Sequence, residues 1–123
     1  GMDHEQVGQF LDKGFEQAGI DGFQRTLHFY MPGGEIPQDD RFVKLCLEER
    51  EHLFGIKSEP QPFDASCEQC FLAKEGIQTV ICGPGDIAQA HTVGEFTWEK
   101  QVRDAVSLYE RIIDRVLYKT NYI

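Results

Sequence analysis

The feature that most constrains the fold is a short apolar run, residues 77–82, which is rich in β-branched side chains. Gly76 precedes it and Gly83 follows it, and glycines on both sides of such a run are typical of a buried strand in a parallel sheet. Helical apolar spacing precedes the run over residues 64–74 and follows it over residues 97–117. This alternation favours an α/β fold, in which a small parallel or mixed sheet is flanked by helices.

The N-terminal part of the chain predicts one helix followed by one strand. Asp3 and Gln6 have the spacing of a capping box, and the apolar residues after them follow helical spacing as far as Gly19. Residues 26–31 alternate between two faces, which is the pattern of a strand. We therefore expect a helix–strand unit at the start of the chain.

A connection rich in proline and glycine, residues 32–37, is the expected boundary between two structural parts. The first part is residues 1–34 and the second is residues 39–117, although at this length the two can also form one compact domain. Gly55 and Gly76 mark expected helix ends in the second part. Its helices are expected to begin at Asp39 or Asp40, at Asp64 or Ser66, and at Thr97.

The charge of the chain argues against two classes of partner. The sequence has 12 Lys and Arg residues against 21 Asp and Glu residues, which gives a formal net charge of −9. Nucleic acid and anionic membrane surfaces both bind to basic faces. No apolar run is long enough to span a bilayer and no secretory leader is visible. We therefore expect a cytoplasmic protein that binds neither nucleic acid nor membrane.

The four cysteines, Cys46, Cys67, Cys70 and Cys82, are expected to be buried free thiols. Cys67 and Cys70 have C-x-x-C spacing, but a zinc ribbon needs a second pair at similar spacing, and the sequence has none. We expect these two residues to share one face of a helix instead.

The loop after the apolar run, residues 83–95, contains the residues best suited to chemistry. In open α/β sheets ligands bind beyond the carboxyl ends of the strands, and Gly83 and Gly85 would let the backbone approach a ligand closely there. His91 follows in the same loop, and a neutral imidazole is a common zinc ligand. Glu95 either orients that imidazole by a hydrogen bond or braces the loop. Spacing alone leaves His91 open between a metal ligand and a surface or packing histidine.

The combined pattern around this loop resembles that of a known family. Gly83-Pro84-Gly85, then Ala90-His91, then Glu95 resembles the signature near the end of zinc-dependent deacetylases, aminoacylases and carboxypeptidases. Acetylornithine deacetylase and succinyl-diaminopimelate desuccinylase have this layout. Phe63-Asp64-Ala65 and Gly76-Ile77 are similar to a segment that precedes the signature, so the resemblance covers residues 39–117.

The resemblance implies a fold, a cofactor and a substrate class. Enzymes of this family have a zinc-binding, exopeptidase-like α/β catalytic domain that is interrupted by a smaller lid domain. Residues 3–31 resemble the end of the lid, and residues 39–117 resemble the last segment of the catalytic domain. By this resemblance His91 matches the last zinc ligand, and Gly83 and Gly85 match a loop that approaches the substrate. In a complete enzyme that substrate is a small N-acyl amino acid.

The other residues that the family needs are absent from this sequence. It has no His-x-Asp motif, which would supply further metal ligands. Glu48 and Glu49 form a Glu-Glu pair, but their place on a helix after the lid-like segment leads us to interpret them as a solvated helix face. A catalytic zinc site needs about three protein ligands and an open position. We therefore assign no catalytic residue here and expect the chain alone to bind no zinc and to hydrolyse no amide.

Two other functions are compatible with the same residues. A chain that keeps part of a sheet and part of a lid leaves apolar faces uncovered, which favours a non-catalytic assembly or binding module. Such a module would form a homo-oligomer or pair with a separate N-terminal half. In the third reading, histidines and carboxylates from several subunits together complete a metal site.

Overall fold

The structure, a computed structural model, describes residues 2–118 of the chain. The regular secondary structure of these residues consists of α-helices and one short 3₁₀ turn. Helix α1 is His4–Gln17, α2 is Arg41–Phe54, α3 is Gln69–Lys74, the 3₁₀ turn is Ile87–Gln89, and α4 is Glu99–Leu117. None of these helices is both long enough and apolar enough to cross a bilayer.

The predicted α/β fold is wrong, because no strand or sheet is formed between residues 2 and 118. Residues 26–31 and residues 77–82, the two predicted strands, have no regular secondary structure. Their apolar side chains are open to solvent: Phe29 is 71% exposed and Ile77 is 52% exposed. Aromatic and β-branched residues favour a strand when neighbouring strands pair with them and an apolar layer covers them. The described residues meet neither condition, so the apolar pattern produces no sheet.

The ends of α1 and α2 lie where the sequence predicts them. Asp3 Oδ1 accepts a hydrogen bond from the Gln6 N–H at 2.8 Å, and Gln6 Oε1 accepts one from the Asp3 N–H at 2.9 Å. These are the two bonds of a capping box. Asp40 caps α2 by accepting from the Phe42 N–H at 2.7 Å. Helix α2 ends at Gly55, whose φ of 66° is the left-handed conformation that favours glycine.

The predicted starts of α3 and α4 are wrong. Helix α3 begins only after Glu68, so Asp64 and Ser66 lie too far before its first turn to reach the free N–H groups. Helix α4 begins after Trp98, whose N–H donates to Gln101 Oε1 at 3.2 Å, and Thr97 lies one residue before this cap.

The chain divides into two compact units, which we describe separately. The first comprises the described residues up to Ile36 together with Asp64–Thr79, and it contains α1 and α3. The second comprises Pro37–Phe63 together with the described residues from Val80 onward, and it contains α2 and α4. The division into residues 1–34 and 39–117 concerns the domains of a complete enzyme and stays a prediction.

In the first unit, Arg25 connects the segment after α1 back to that helix. Its Nη2 lies 2.9 Å from Asp12 Oδ2, and this hydrogen-bonded ion pair holds the pKa of Asp12 below its ordinary value. Gly8 is buried under the same guanidinium, where a Cβ would lie 2.7 Å from Nη2. The rings of Phe15 and Phe23 pack with their centroids 4.4 Å apart. The ion pair and the ring contact together hold the turn after α1 in place.

In the second unit, α2 packs against α4. The buried apolar residues of this pair include Val43 and Leu45 of α2 and Leu108 of α4. The unit therefore has a small core that lies along one side of each helix. The helix pair is the scaffold for the loop that precedes α4.

Glu49 lies in this interface, so its interpretation as part of a solvated helix face is wrong. Its side chain is 2% exposed. Arg111 Nε donates to Glu49 Oε2 at 2.5 Å, and Arg115 Nη1 donates to Oε1 at 2.7 Å. Burial alone would raise the pKa of this carboxyl group, but the two guanidinium groups outweigh burial and lower it. Helix α4 thus supplies two cations to the carboxylate of Glu49. The sequence pattern of α2 alone does not predict this contact.

Candidate functional site

The loop of residues 83–95 turns sharply at its start and contains the 3₁₀ turn. Gly85 has a φ of 96°, a conformation that other residues rarely adopt, and a Cβ there would lie 3.5 Å from Thr97 Oγ1. Asp86 caps the 3₁₀ turn, because its Oδ1 accepts a hydrogen bond from the Ala88 N–H at 2.9 Å. The glycine corner and this cap define the path of the backbone toward His91.

The start of the loop is attached to α4 through Tyr109. The Tyr109 hydroxyl donates to the carbonyl oxygen of Cys82 at 2.7 Å. Burial raises the pKa of Tyr109, with a further contribution from Cys82, so the hydroxyl keeps its proton and remains a donor. Sequence reasoning gave no role to Tyr109, because it appeared only as one apolar position of the last helix.

His91 is exposed at the far side of the loop and has a left-handed backbone conformation, with a φ of 61°. Its backbone N–H donates to Glu95 Oε2 at 3.1 Å. Thr92 Oγ1 donates to the carbonyl oxygen of Gln89 at 2.7 Å and tightens the same turn. Glu95 therefore braces the loop through the backbone of His91. Two statements remain predictions: that Glu95 orients the imidazole of His91, and that His91 binds metal.

A cavity of about 540 Å³ lies beside the glycine corner, between the end of α2 and the beginning of α4. Gly83 and Gly85 are part of its wall, so the structure brings the two predicted substrate-approaching residues to one cavity. Its charged lining residues are Arg50, Lys100 and Asp104, and Lys100 Nζ lies 2.6 Å from Asp104 Oδ2. The rest of the lining combines apolar side chains, among them Leu53 and Phe54, with Gln101 and the backbone of the two glycines.

The four cysteines are free thiols, as predicted, but not all of them are buried. Cys82 is exposed and lines the cavity. Cys46 lies on α2, and burial, together with Cys82, raises its pKa to about 11. Cys70 is buried in α3, and its Sγ donates to the carbonyl oxygen of Cys67 at 3.2 Å. Cys67 itself lies before α3, so the prediction that the two cysteines share one helix face is wrong.

The sequence profile of peptidase family M20/M25/M40 matches residues 17–115. The match covers most of the chain, so the chain belongs to this family. The resemblance drawn from residues 83–95 is thereby confirmed.

Two similar proteins are acetylornithine deacetylases. The one from Pectobacterium carotovorum subsp. carotovorum is 31% identical over 87 residues, which is 71% of this chain and 21% of that protein. The one from Photorhabdus laumondii subsp. laumondii is 28% identical over 95 residues, which is 77% of this chain and 23% of that protein. This chain thus matches less than a quarter of the length of these relatives. No solved structure matches it.

Enzymes of this family generally use zinc. Between residues 2 and 118, no group of three or more His, Cys, Asp or Glu side chains is arranged to hold a metal ion. A catalytic zinc site needs about three protein ligands. His91 offers one exposed imidazole and no neighbouring ligand set, so these residues do not fit a complete zinc centre.

Proposed function

We propose that this chain is the C-terminal part of a metal-dependent amidohydrolase of the acetylornithine deacetylase type, and that it supplies His91 to the metal site. The complete enzyme would cleave N-acyl amino acids with zinc. The observation that carries this proposal is the loop of residues 83–95, in a chain of this family. The loop carries an exposed histidine, and the two glycines at its start, Gly83 and Gly85, line a cavity.

The chain's own residues support three tasks in such an enzyme. Glu95 and Thr92 hold the turn that carries His91, and so limit the positions of its imidazole. Gly83 and Gly85 let the backbone approach a bound molecule without side chains in the way. Asp104 offsets the charge of Lys100, so Arg50 gives the charged lining of the cavity a net positive charge, which suits the carboxylate of an N-acyl amino acid.

We further propose that the chain alone is inactive, because a hydrolytic zinc centre needs ligands and a general base that it does not contain. Its partner would be the remaining part of the family's fold, which supplies those groups. A cytoplasmic location and the absence of nucleic-acid or membrane partners remain predictions.

The test is a chimera in which this chain replaces the matching region of the Pectobacterium acetylornithine deacetylase. We expect hydrolysis of N-acetylornithine by the chimera and none by the isolated chain with added zinc. His91→Ala should abolish turnover by the chimera and lower its zinc content in elemental analysis. His52→Ala, which changes an exposed histidine of α2, is the matched control and should leave both unchanged. Turnover by the isolated chain, or full activity and zinc content in the His91→Ala chimera, would refute the proposal.

A second candidate function is a non-catalytic assembly module, and one observation favours it. Helix α4 exposes large apolar residues along its length, among them Val106 at 52% and Ile113 at 51%. An exposed apolar patch of this kind marks an interaction surface. In this reading the isolated chain associates with itself, and the chimera has no activity although it folds and contains zinc.

A further inference from the structure

The glycine corner consists of residues 82–85, all of which line the cavity. Helix α4 and the residue before its cap contact the two ends of this corner. At the first end, the Tyr109 hydroxyl donates to the carbonyl oxygen of Cys82 at 2.7 Å. At the second end, a Cβ on Gly85 would lie 3.5 Å from Thr97 Oγ1, so the backbone of Gly85 packs against Thr97. The start of the corner is therefore held by a hydrogen bond and its end by packing.

The glycine corner needs such a hold, because its own residues leave the backbone free. Two of its four residues are glycines, which lose more conformational freedom on folding than any other residue. The Tyr109 hydroxyl lies close to this part of the backbone, since a Cβ on Gly83 would be 3.8 Å from Tyr109 Oη. Helix α4 is a firmer support, because it has 19 residues and packs against α2. The hydroxyl therefore ties the position of the corner to that of α4.

The turn that carries His91 is held in a different way. The His91 N–H donates to Glu95 Oε2 at 3.1 Å, and Thr92 Oγ1 donates to the carbonyl oxygen of Gln89 at 2.7 Å. The Glu95 N–H closes the turn by donating to the Thr92 carbonyl oxygen at 3.2 Å. Each of these bonds joins two residues between 89 and 95. The two ends of the loop thus have separate supports.

We propose that Tyr109 is a positioning residue, which fixes the glycine corner where the backbone approaches the substrate and leaves the turn around His91 unaffected. The hydroxyl acts through the Cys82 carbonyl group, which accepts its hydrogen bond. That an N-acyl amino acid is the substrate rests on the proposed function, whereas the contact between Tyr109 and the corner is a property of this chain. Loss of the hydroxyl should therefore weaken substrate binding without changing the metal contact.

The first test measures ¹⁵N relaxation in the purified chain and in Tyr109→Phe, which removes the hydroxyl and retains the ring. In the parent chain we expect amide order parameters of about 0.85 at Gly83 and Gly85, the value of a rigid backbone. In Tyr109→Phe they should fall below about 0.6, while those of His91 and Thr92 stay as in the parent chain. Helix content by circular dichroism should be unchanged, because the ring remains on α4.

Two variants serve as controls. Tyr30→Phe also removes one hydroxyl, which donates to the Met2 carbonyl oxygen in the first unit, and it should leave the order parameters of the loop unchanged. Glu95→Ala removes the acceptor of the His91 N–H and should give the reverse pattern. In that variant the order parameter of His91 falls, and those of the two glycines do not.

The second test measures hydrolysis of N-acetylornithine by the chimera described above. The net contribution of one hydrogen bond corresponds to a change in affinity of about fivefold, so Tyr109→Phe should raise KM about fivefold. The value of kcat should stay within about twofold of the parent value and the zinc content should be unchanged, because the His91 turn is intact. A purely structural role would instead lower the amount of folded, zinc-loaded chimera and leave the KM of the remainder unchanged. Tyr30→Phe should leave KM, kcat and zinc content at the parent values.

Three results overturn the role of Tyr109. The first is that Gly83 and Gly85 keep their order parameters in Tyr109→Phe, and the second is that His91 loses as much order as they do. The third is an active Tyr109→Phe chimera with an unchanged KM or a lowered zinc content. A parent chimera without turnover refutes the proposed function instead, and the relaxation experiment on the chain alone then decides whether Tyr109 positions the corner.

Discussion

Glu49 provides the sharpest test of how the second unit is held together. Its carboxylate is 2% exposed and accepts hydrogen bonds from Arg111 at 2.5 Å and from Arg115 at 2.7 Å. In Glu49→Gln, the amide oxygen can still accept a hydrogen bond from one arginine. The amide NH₂ is itself a donor and would face the N–H groups of the other arginine. The negative charge of the carboxylate is also lost.

The magnitude follows from the two bonds and from the exposure of the arginines. A hydrogen bond to a charged group contributes about 1.5–3 kcal/mol, and breaking a buried ion pair costs about 3–5 kcal/mol. The Arg111 and Arg115 side chains are 37% and 33% exposed, so water recovers part of the loss. We expect Glu49→Gln to lower the free energy of unfolding by about 2–3 kcal/mol, measured by urea unfolding followed at 222 nm.

Glu48→Gln is the matched control, because Glu48 precedes Glu49 on the same helix but is 62% exposed and makes one contact at 3.2 Å. It should change the free energy of unfolding by about 0.5 kcal/mol or less. If Glu49→Gln lowers the free energy of unfolding as little as Glu48→Gln does, the cluster around Glu49 does not hold α2 against α4, and the reasoning is refuted.

The pH dependence gives an independent check of the same contact. The pKa of Glu49 in the folded chain lies below the ordinary value of 4.5. The ionised carboxylate therefore stabilises the folded state at pH values above 4.5. This stabilisation is lost as the pH falls through the folded-state pKa. The difference between the parent chain and Glu49→Gln should accordingly shrink on acidification below pH 4.5. A difference that stays constant from pH 7 to about pH 3 would show that the charge of Glu49 is not responsible.

Four further predictions concern single residues. Asp3→Ala removes the cap of α1 and should destabilise that helix by about 1 kcal/mol in hydrogen exchange, whereas Asp3→Asn should largely retain the cap. Gly55→Ala forces a side chain into the left-handed conformation at the end of α2 and should cost about 1 kcal/mol in urea unfolding. Gly14→Ala, inside α1 with open space around it, should stabilise by about 0.5–1 kcal/mol. Cys46, with a pKa of about 11, should react with iodoacetamide at pH 8 about tenfold or more slowly than a thiol with the ordinary pKa of 9.0, as followed by mass spectrometry.

The sequence predicted those features of the candidate site that depend on residues close together in the chain. The pattern from Gly83 to Glu95 identified the family, and the family match confirms it. The hydrogen bond between the His91 N–H and Glu95 spans only four residues of the chain, which is why spacing suggested a link between them. The anchor of the loop, from Tyr109 to the Cys82 carbonyl, spans 27 residues and left no local signal. Arg50 lies on α2 and Lys100 lies on α4, and the packing of these two helices brings both residues to the cavity. Local spacing gave no signal of this either.

The sequence by itself determined the helices that carry their own caps and stops. The capping box of Asp3 and Gln6, the cap at Asp40 and the left-handed Gly55 are interactions within a few residues of the chain, so the local sequence is enough to predict them. The strands could not be decided in this way, because a strand exists only through hydrogen bonds to another strand. Residues 26–31 and 77–82 have the strand pattern without that partner between residues 2 and 118. Only the tertiary structure decided that Glu49 is buried, since its two arginines come from a helix more than sixty residues away in the chain.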